Sequence, residues 1–87
     1  MKVITIKDIK RKDIPIYYRL MYTGVAVIEL AKGPMNFRID FSIEIKATGQ
    51  MLIVVTFIDQ LDYPLFPVVQ ELKKIITDMH YDGTLPN

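Results

Sequence analysis

The strongest pattern along the chain is a strict alternation over residues 36–46. Phe37, Ile39, Phe41, Ile43 and Ile45 alternate with Asn36, Arg38, Asp40, Ser42, Glu44 and Lys46. A period of two marks a β-strand with one buried face and one wet face. Ala47-Thr48-Gly49-Gln50 follows as a short connection, with glycine where a positive φ is needed. Residues 51–58, Met-Leu-Ile-Val-Val-Thr-Phe-Ile, are then apolar on both faces. Such a run reads as a central strand covered on both sides, or as one whose second face meets another subunit. The two segments predict an antiparallel hairpin. Upstream, residues 25–31 are rich in β-formers and end at Lys32-Gly33-Pro34, a turn signal that predicts a third strand. Residues 1–6, β-branched at Val3, Ile4, Thr5 and Ile6, predict a fourth.

The period then changes. Leu65, Val68, Val69, Leu72, Ile75, Ile76 and Met79 recur at spacings of three and four, with Gln70, Glu71, Lys73, Lys74, Thr77 and Asp78 between them. This is an amphipathic helix. Pro64 and Pro67 fit only its first turn, with Asp62 nearby as a cap. Gly83 and Pro86 end it. Residues 13–22 carry two patterns. Ile14, Tyr17, Tyr18 and Met21 fit a short helix between Asp13 and Gly24, the favoured reading. Ile16, Tyr18, Leu20 and Tyr22 alternate as a strand would, the alternative. The fold class is α+β: a small, mainly antiparallel sheet of three to four strands with the C-terminal helix packed on one face. The order is β-α-β-β-β-α with the second helix, or an all-strand meander followed by the helix. Because the strand at 36–46 has a polar second face, the helices should share one side. Part of strand 51–58 is then left uncovered in an isolated chain.

Composition narrows the function classes. The chain has 87 residues, 51% of them apolar, which suits a single folded domain over residues 1–87 and not a disordered chain. Cysteine is absent, which excludes disulfides, thiolate chemistry and Cys-ligated metals. There is one histidine and one serine. The formal net charge is +1, which gives no general attraction to nucleic acid or an anionic membrane. Charge is unevenly placed, however. Residues 1–19 carry six cations and two anions, whereas residues 51–87 carry two cations and five anions. Packing the two ends together is therefore favourable. The longest uncharged stretch, residues 47–58, is too short for a membrane helix of about 20 residues. Lys7 and Asp8 interrupt the opening apolar run before it reaches the length of a secretory core, so a cytoplasmic protein is expected.

Few residues offer chemistry. His80 falls in the last helical turn with no second metal-type ligand beside it, and suits a cation at a helix C-terminus. Asp59 and Asp62 lie between the hairpin and the helix, where one cap and one solvated carboxylate are the expected roles. Gly24, Gly33, Gly49 and Gly83 are isolated and read as turn or helix-end residues. Ser42 falls on the wet face of a strand. No catalytic residue, metal ligand or cofactor is assigned. Tyr17, Tyr18 and Tyr22 cluster with Arg19 near Lys10-Arg11-Lys12, the interleaving of aromatics and cations that single-stranded nucleic acid uses, although a core edge or a subunit interface is the expected place of such tyrosines. The element order with a second helix, together with Gly33-Pro34 and Gly49, loosely resembles double-stranded-RNA-binding domains. The segment opening the last helix reads Asp59-Gln60-Leu61-Asp62-Tyr63-Pro64, however, where that family carries phosphate-binding lysines, so no membership is drawn.

The leading expectation is a non-enzymatic protein-interaction module that forms a homo-oligomer, most simply a dimer. It rests on the apolar excess, the two-sided strand 51–58 and the scarcity of reactive groups. An unidentified protein partner is compatible with it. The alternative is nucleic-acid binding through Lys7, Lys10, Arg11, Lys12 and Arg19.

Overall fold

The computed structural model describes residues 1–14, 16 and 18–86. Four strands, β1 (Lys2–Arg11), β2 (Arg19–Leu30), β3 (Gly33–Ile45) and β4 (Met51–Phe57), are followed by one helix, α1 (Leu65–Asp82). The strands lie in the sheet in chain order and every neighbouring pair is antiparallel. This is the α+β fold in its meander form. The expected hairpin forms in register, from Ile45 opposite Met51 to Ile39 opposite Phe57. Gly33, the first residue of β3, and Gly49, in the connection after it, both have positive φ.

Two expectations need correction. Arg19, Leu20, Met21 and Tyr22 belong to β2, so the favoured short helix over residues 13–22 does not form there and the strand alternative holds from Arg19 onward but not at Ile16 or Tyr18. Asp13, Ile14 and Ile16 are in no helix or strand. Pro15 and Tyr17, which also fall in that segment, lie outside the described residues. The cause is tertiary. Leu20 and Tyr22 pair with Ile43 and Phe41 of β3, and both side chains turn onto the covered face. That burial outweighs a local cap signal. Among the described residues no helix separates β1 from β2, so the RNA-binding-domain order is not followed. Second, β4 is an edge strand, not a central one.

One face of the sheet carries the core. Ala26, Ile28, Ile39 and Ile43 are fully buried beneath Val68, Leu72 and Ile76 of α1. Tyr22 stacks on Phe41 at 5.0 Å between ring centroids, and Phe37 meets Phe57 edge-on at 6.3 Å. Burying each large side chain contributes about 1.5–3 kcal/mol. The opposite end of the core depends on an irregularity in β1. The register shifts between Lys7 and Lys10, with Asp8 at a φ of 53°, and Ile6 and Ile9 both reach the covered face. Gly24 lies beneath them in mid-strand, not at a turn as expected. A Cβ there would stand 3.1 Å from Ile6 Cγ2, so a side chain would crowd Ile6.

The apolar stripe of α1 runs as the spacing predicts, except that Leu65 is 50% exposed. Pro64 precedes the first turn with no side-chain cap, so Asp62 does not fill that role. At the other end Gly83 adopts the left-handed conformation. There the Gly83 and Thr84 N–H groups close back on the carbonyls of His80 and Met79. The helix packs on β1 and on β4, which brings the acidic end of the chain over the basic end. The Val3 backbone N–H donates to Glu71 Oε1 at 3.4 Å. No described helix is long and apolar enough to cross a membrane.

Candidate interaction surface

The pleat of β4 divides its side chains. Ile53 is buried, and Met51, Val55 and Phe57 are half-buried on the helix-covered face. Leu52, Val54, Thr56 and, just beyond the strand, Ile58 are exposed on the other face. Leu52, Val54 and Ile58 remain 42%, 49% and 51% accessible. The residues opposite Leu52, Val54 and Thr56 on β3 are Glu44, Ser42 and Asp40. The apolar row is thus bounded inward by a polar row and outward by the free edge of the sheet.

The ladder also fixes which main-chain groups face that edge. The Ile58 N–H donates to the Arg38 carbonyl at 2.9 Å, and the Lys46 N–H to the Gln50 carbonyl at 2.9 Å. Hydrogen-bonded pairs alternate along an antiparallel ladder. Leu52, Val54 and Thr56 therefore bond β3, while the N–H and C=O groups of Met51, Ile53, Val55 and Phe57 point outward. No hydrogen bond joins those outward groups to another described residue.

The other edge is different. β1 shifts register twice, between Val3 and Thr5 and between Lys7 and Lys10. Lys2, Lys7, Lys10 and Arg11 are exposed along it, and Glu71 takes the Val3 N–H. Bulges and charges of this kind prevent edge-to-edge pairing. β4 has no register shift relative to β3, no charged residue and no proline.

The β4 exit is held by Arg38 and Asp59. The Arg38 guanidinium donates to the carboxylate through Nε at 3.1 Å to each oxygen and through Nη2 to Oδ1 at 2.6 Å. The Arg38 backbone N–H adds a further bond of 2.8 Å to Asp59 Oδ2. These bonds from Arg38 lower the Asp59 pKa from 3.8 to about 2 and raise that of Arg38. Asp59 therefore clamps the end of the hairpin, and Asp62 stands apart from it along a groove. Among the described residues no group of three or more His, Asp or Glu is placed to hold a metal ion.

The basic residues named by the sequence do not form one free patch. Lys12 pairs with Asp40 at 2.9 Å and Arg19 with Glu44 at 3.4 Å, while Lys7, Lys10 and Arg11 are exposed. Nor do the tyrosines gather. Tyr22 is in the core, where burial raises its pKa against the opposing pull of Arg11. Tyr18 is half-exposed, and Tyr17 is outside the described residues. His80 lies in the last turn of α1 with its ring edge-on to Tyr81 at 5.6 Å. Ser42 lies on the outer face between Met21 and Val54.

One feature had no signal in the sequence. An open groove of about 730 Å³ is lined by Met1, Lys2, Leu30, Met35, Asp62 and Tyr63, among others. Its walls come from the ends of elements far apart in the chain, and only the meander brings them together. A second hollow, of about 220 Å³, lies by Asp8, Lys10 and Arg38.

One protein-family model, that of the BB-0187 family, matches residues 1–81, and the chain belongs to that family. The match takes in the whole sheet and all of α1 but its last residue, Asp82. Comparison with curated proteins and with solved structures finds no match.

Proposed function

We propose that this chain is a small non-enzymatic interaction module that works by self-association, as a dimer. The observation that carries the reading is β4: an uncharged edge strand with Leu52, Val54 and Ile58 exposed beside outward main-chain groups. A bare apolar edge recruits another strand, and natural proteins that stay monomeric blunt such edges. β1 is blunted in this way and β4 is not. The chemistry available points in the same direction, since the only histidine ends a helix and Asp59 is held by Arg38. Seven strand residues bury less than a standard interface of about 1,600 Å², so a dimer of modest affinity is expected.

Sedimentation velocity of the purified chain from low to high micromolar concentration tests this. The expected result is a reversible shift from about one to about two chain masses. A single monomeric species throughout overturns self-association. The alternative, nucleic-acid binding through Lys7, Lys10, Arg11, Lys12 and Arg19, has less support. A phosphate would have to displace Asp40 from Lys12 and Glu44 from Arg19. That reading requires binding that weakens steeply with salt and is lost when Lys10, Arg11 and Lys12 become alanine.

A further inference from the structure

The outward groups of β4 also specify how two copies would meet. We infer that two copies pair their β4 strands antiparallel about a two-fold axis at Val54, joining the two sheets into one continuous eight-stranded sheet. This deepens the self-association reading and rests on it.

The occupant is a second copy for three reasons. The first is register. Met51, Ile53, Val55 and Phe57 alone on β4 turn their N–H and C=O groups outward. With the axis at Val54, Met51 faces the partner's Phe57 and Ile53 faces the partner's Val55. Every outward N–H and C=O of both strands then finds a hydrogen bond. Moving the axis to Ile53 leaves Phe57 unpaired, and moving it to Val55 leaves Met51 unpaired. The strand is therefore self-complementary in one register above the others.

The second reason is side-chain complementarity. No residue of β4 is charged, so an isologous pairing sets no like charges opposite each other. On the outer face Val54 meets its own copy, and Leu52 meets the partner's Thr56. On the inner face the contacts extend the core. Met51, Val55 and Phe57 point at the helix-covered side yet stay half-buried because the sheet ends there. A second copy covers their open flank.

The third reason is closure. A strand edge that could also dock on β1 of another copy would build filaments. The two register shifts of β1, its lysines and the Glu71 contact to Val3 stand against that. Assembly ends at two chains.

The absence of cysteine makes single-cysteine variants clean reporters. In the inferred register the two Val54 positions form a non-hydrogen-bonded antiparallel pair, with Cα atoms about 4.5 Å apart, close enough for a disulfide. Two Leu52 positions are offset by four residues, roughly 13 Å along the strands, and cannot be bridged. The expected result is that Val54→Cys oxidises to a covalent dimer at protein concentrations where Leu52→Cys stays monomeric under denaturing electrophoresis. Val54→Lys should weaken the dimer by roughly tenfold or more, while its circular dichroism and melting transition stay close to those of the parent chain. A parent chain that sediments as a dimer, combined with no cross-link at position 54 or an equal one at position 52, overturns this arrangement and leaves self-association standing. A parent chain that is monomeric throughout overturns both, and leaves a strand from a different protein as the occupant of β4.

Discussion

Val54 and Val55 are adjacent and chemically identical, yet the pleat sends them to opposite faces. Val54 is half-exposed outside, whereas Val55 packs against the core. Val54→Asp should leave urea and thermal melts of the monomer near those of the parent chain and abolish the dimer. Val55→Asp sets a carboxylate against the helix-covered core and should destabilise the fold itself by about 2 kcal/mol or more, read from urea melts. Asp59 supports a pH prediction. Its folded pKa of about 2 lies below the ordinary 3.8, so its contribution to stability is present above about pH 4 and is lost as pH falls toward 2. In Asp59→Asn the acid limb of stability against pH should be shallower over that window. An unchanged limb would mean the clamp does not form in solution. The roles of single residues were the least legible part of the sequence. Tyr22 falls in the core, as expected of a tyrosine at a core edge, but that Phe41 is its partner depends on the pairing of β2 with β3. Gly24 looked like a stop, and only the bulge in β1 shows why a side chain there would be crowded.

At the scale of elements, the helix and the hairpin of β3 and β4 were readable because their periodicity is their own. α1 buries Val68, Leu72 and Ile76, three members of the stripe that the spacing picks out. Leu72→Ala should cost about 2–5 kcal/mol in a denaturant titration. Phe66→Ala, at a position 75% exposed, should stay within about 0.5 kcal/mol. Equal losses at the two positions would contradict the packing described. The segment at 13–22 misled because its end signals are local, while the pull toward β2 comes from Glu44, Ile43, Ser42 and Phe41 across the sheet. β4 was open to two readings. An apolar run on both faces fits a covered strand and an open edge equally well, and only the order of strands separates them. Leu52, Val54 and Ile58 are the part of residues 51–58 that was expected to stay uncovered once the helix took the other face.

At the scale of the molecule, the sheet is asymmetric. One face is roofed by α1 and the other is wet; one edge is broken by bulges and lysines and the other is bare. The fold class and the single roofed face could be read from alternation and helical spacing. The identity of the bare edge could not, because it depends on which strand lacks a neighbour. Amide hydrogen exchange followed residue by residue on β4, at low and high protein concentration, tests the central claim most directly. Leu52, Val54 and Thr56, bonded to β3, should be protected at both concentrations. Met51, Ile53, Val55 and Phe57 should exchange freely in dilute solution and become protected as the concentration rises. If these four amides exchange equally fast at every concentration while the chain sediments as a dimer, the dimer is built elsewhere and β4 is not its interface.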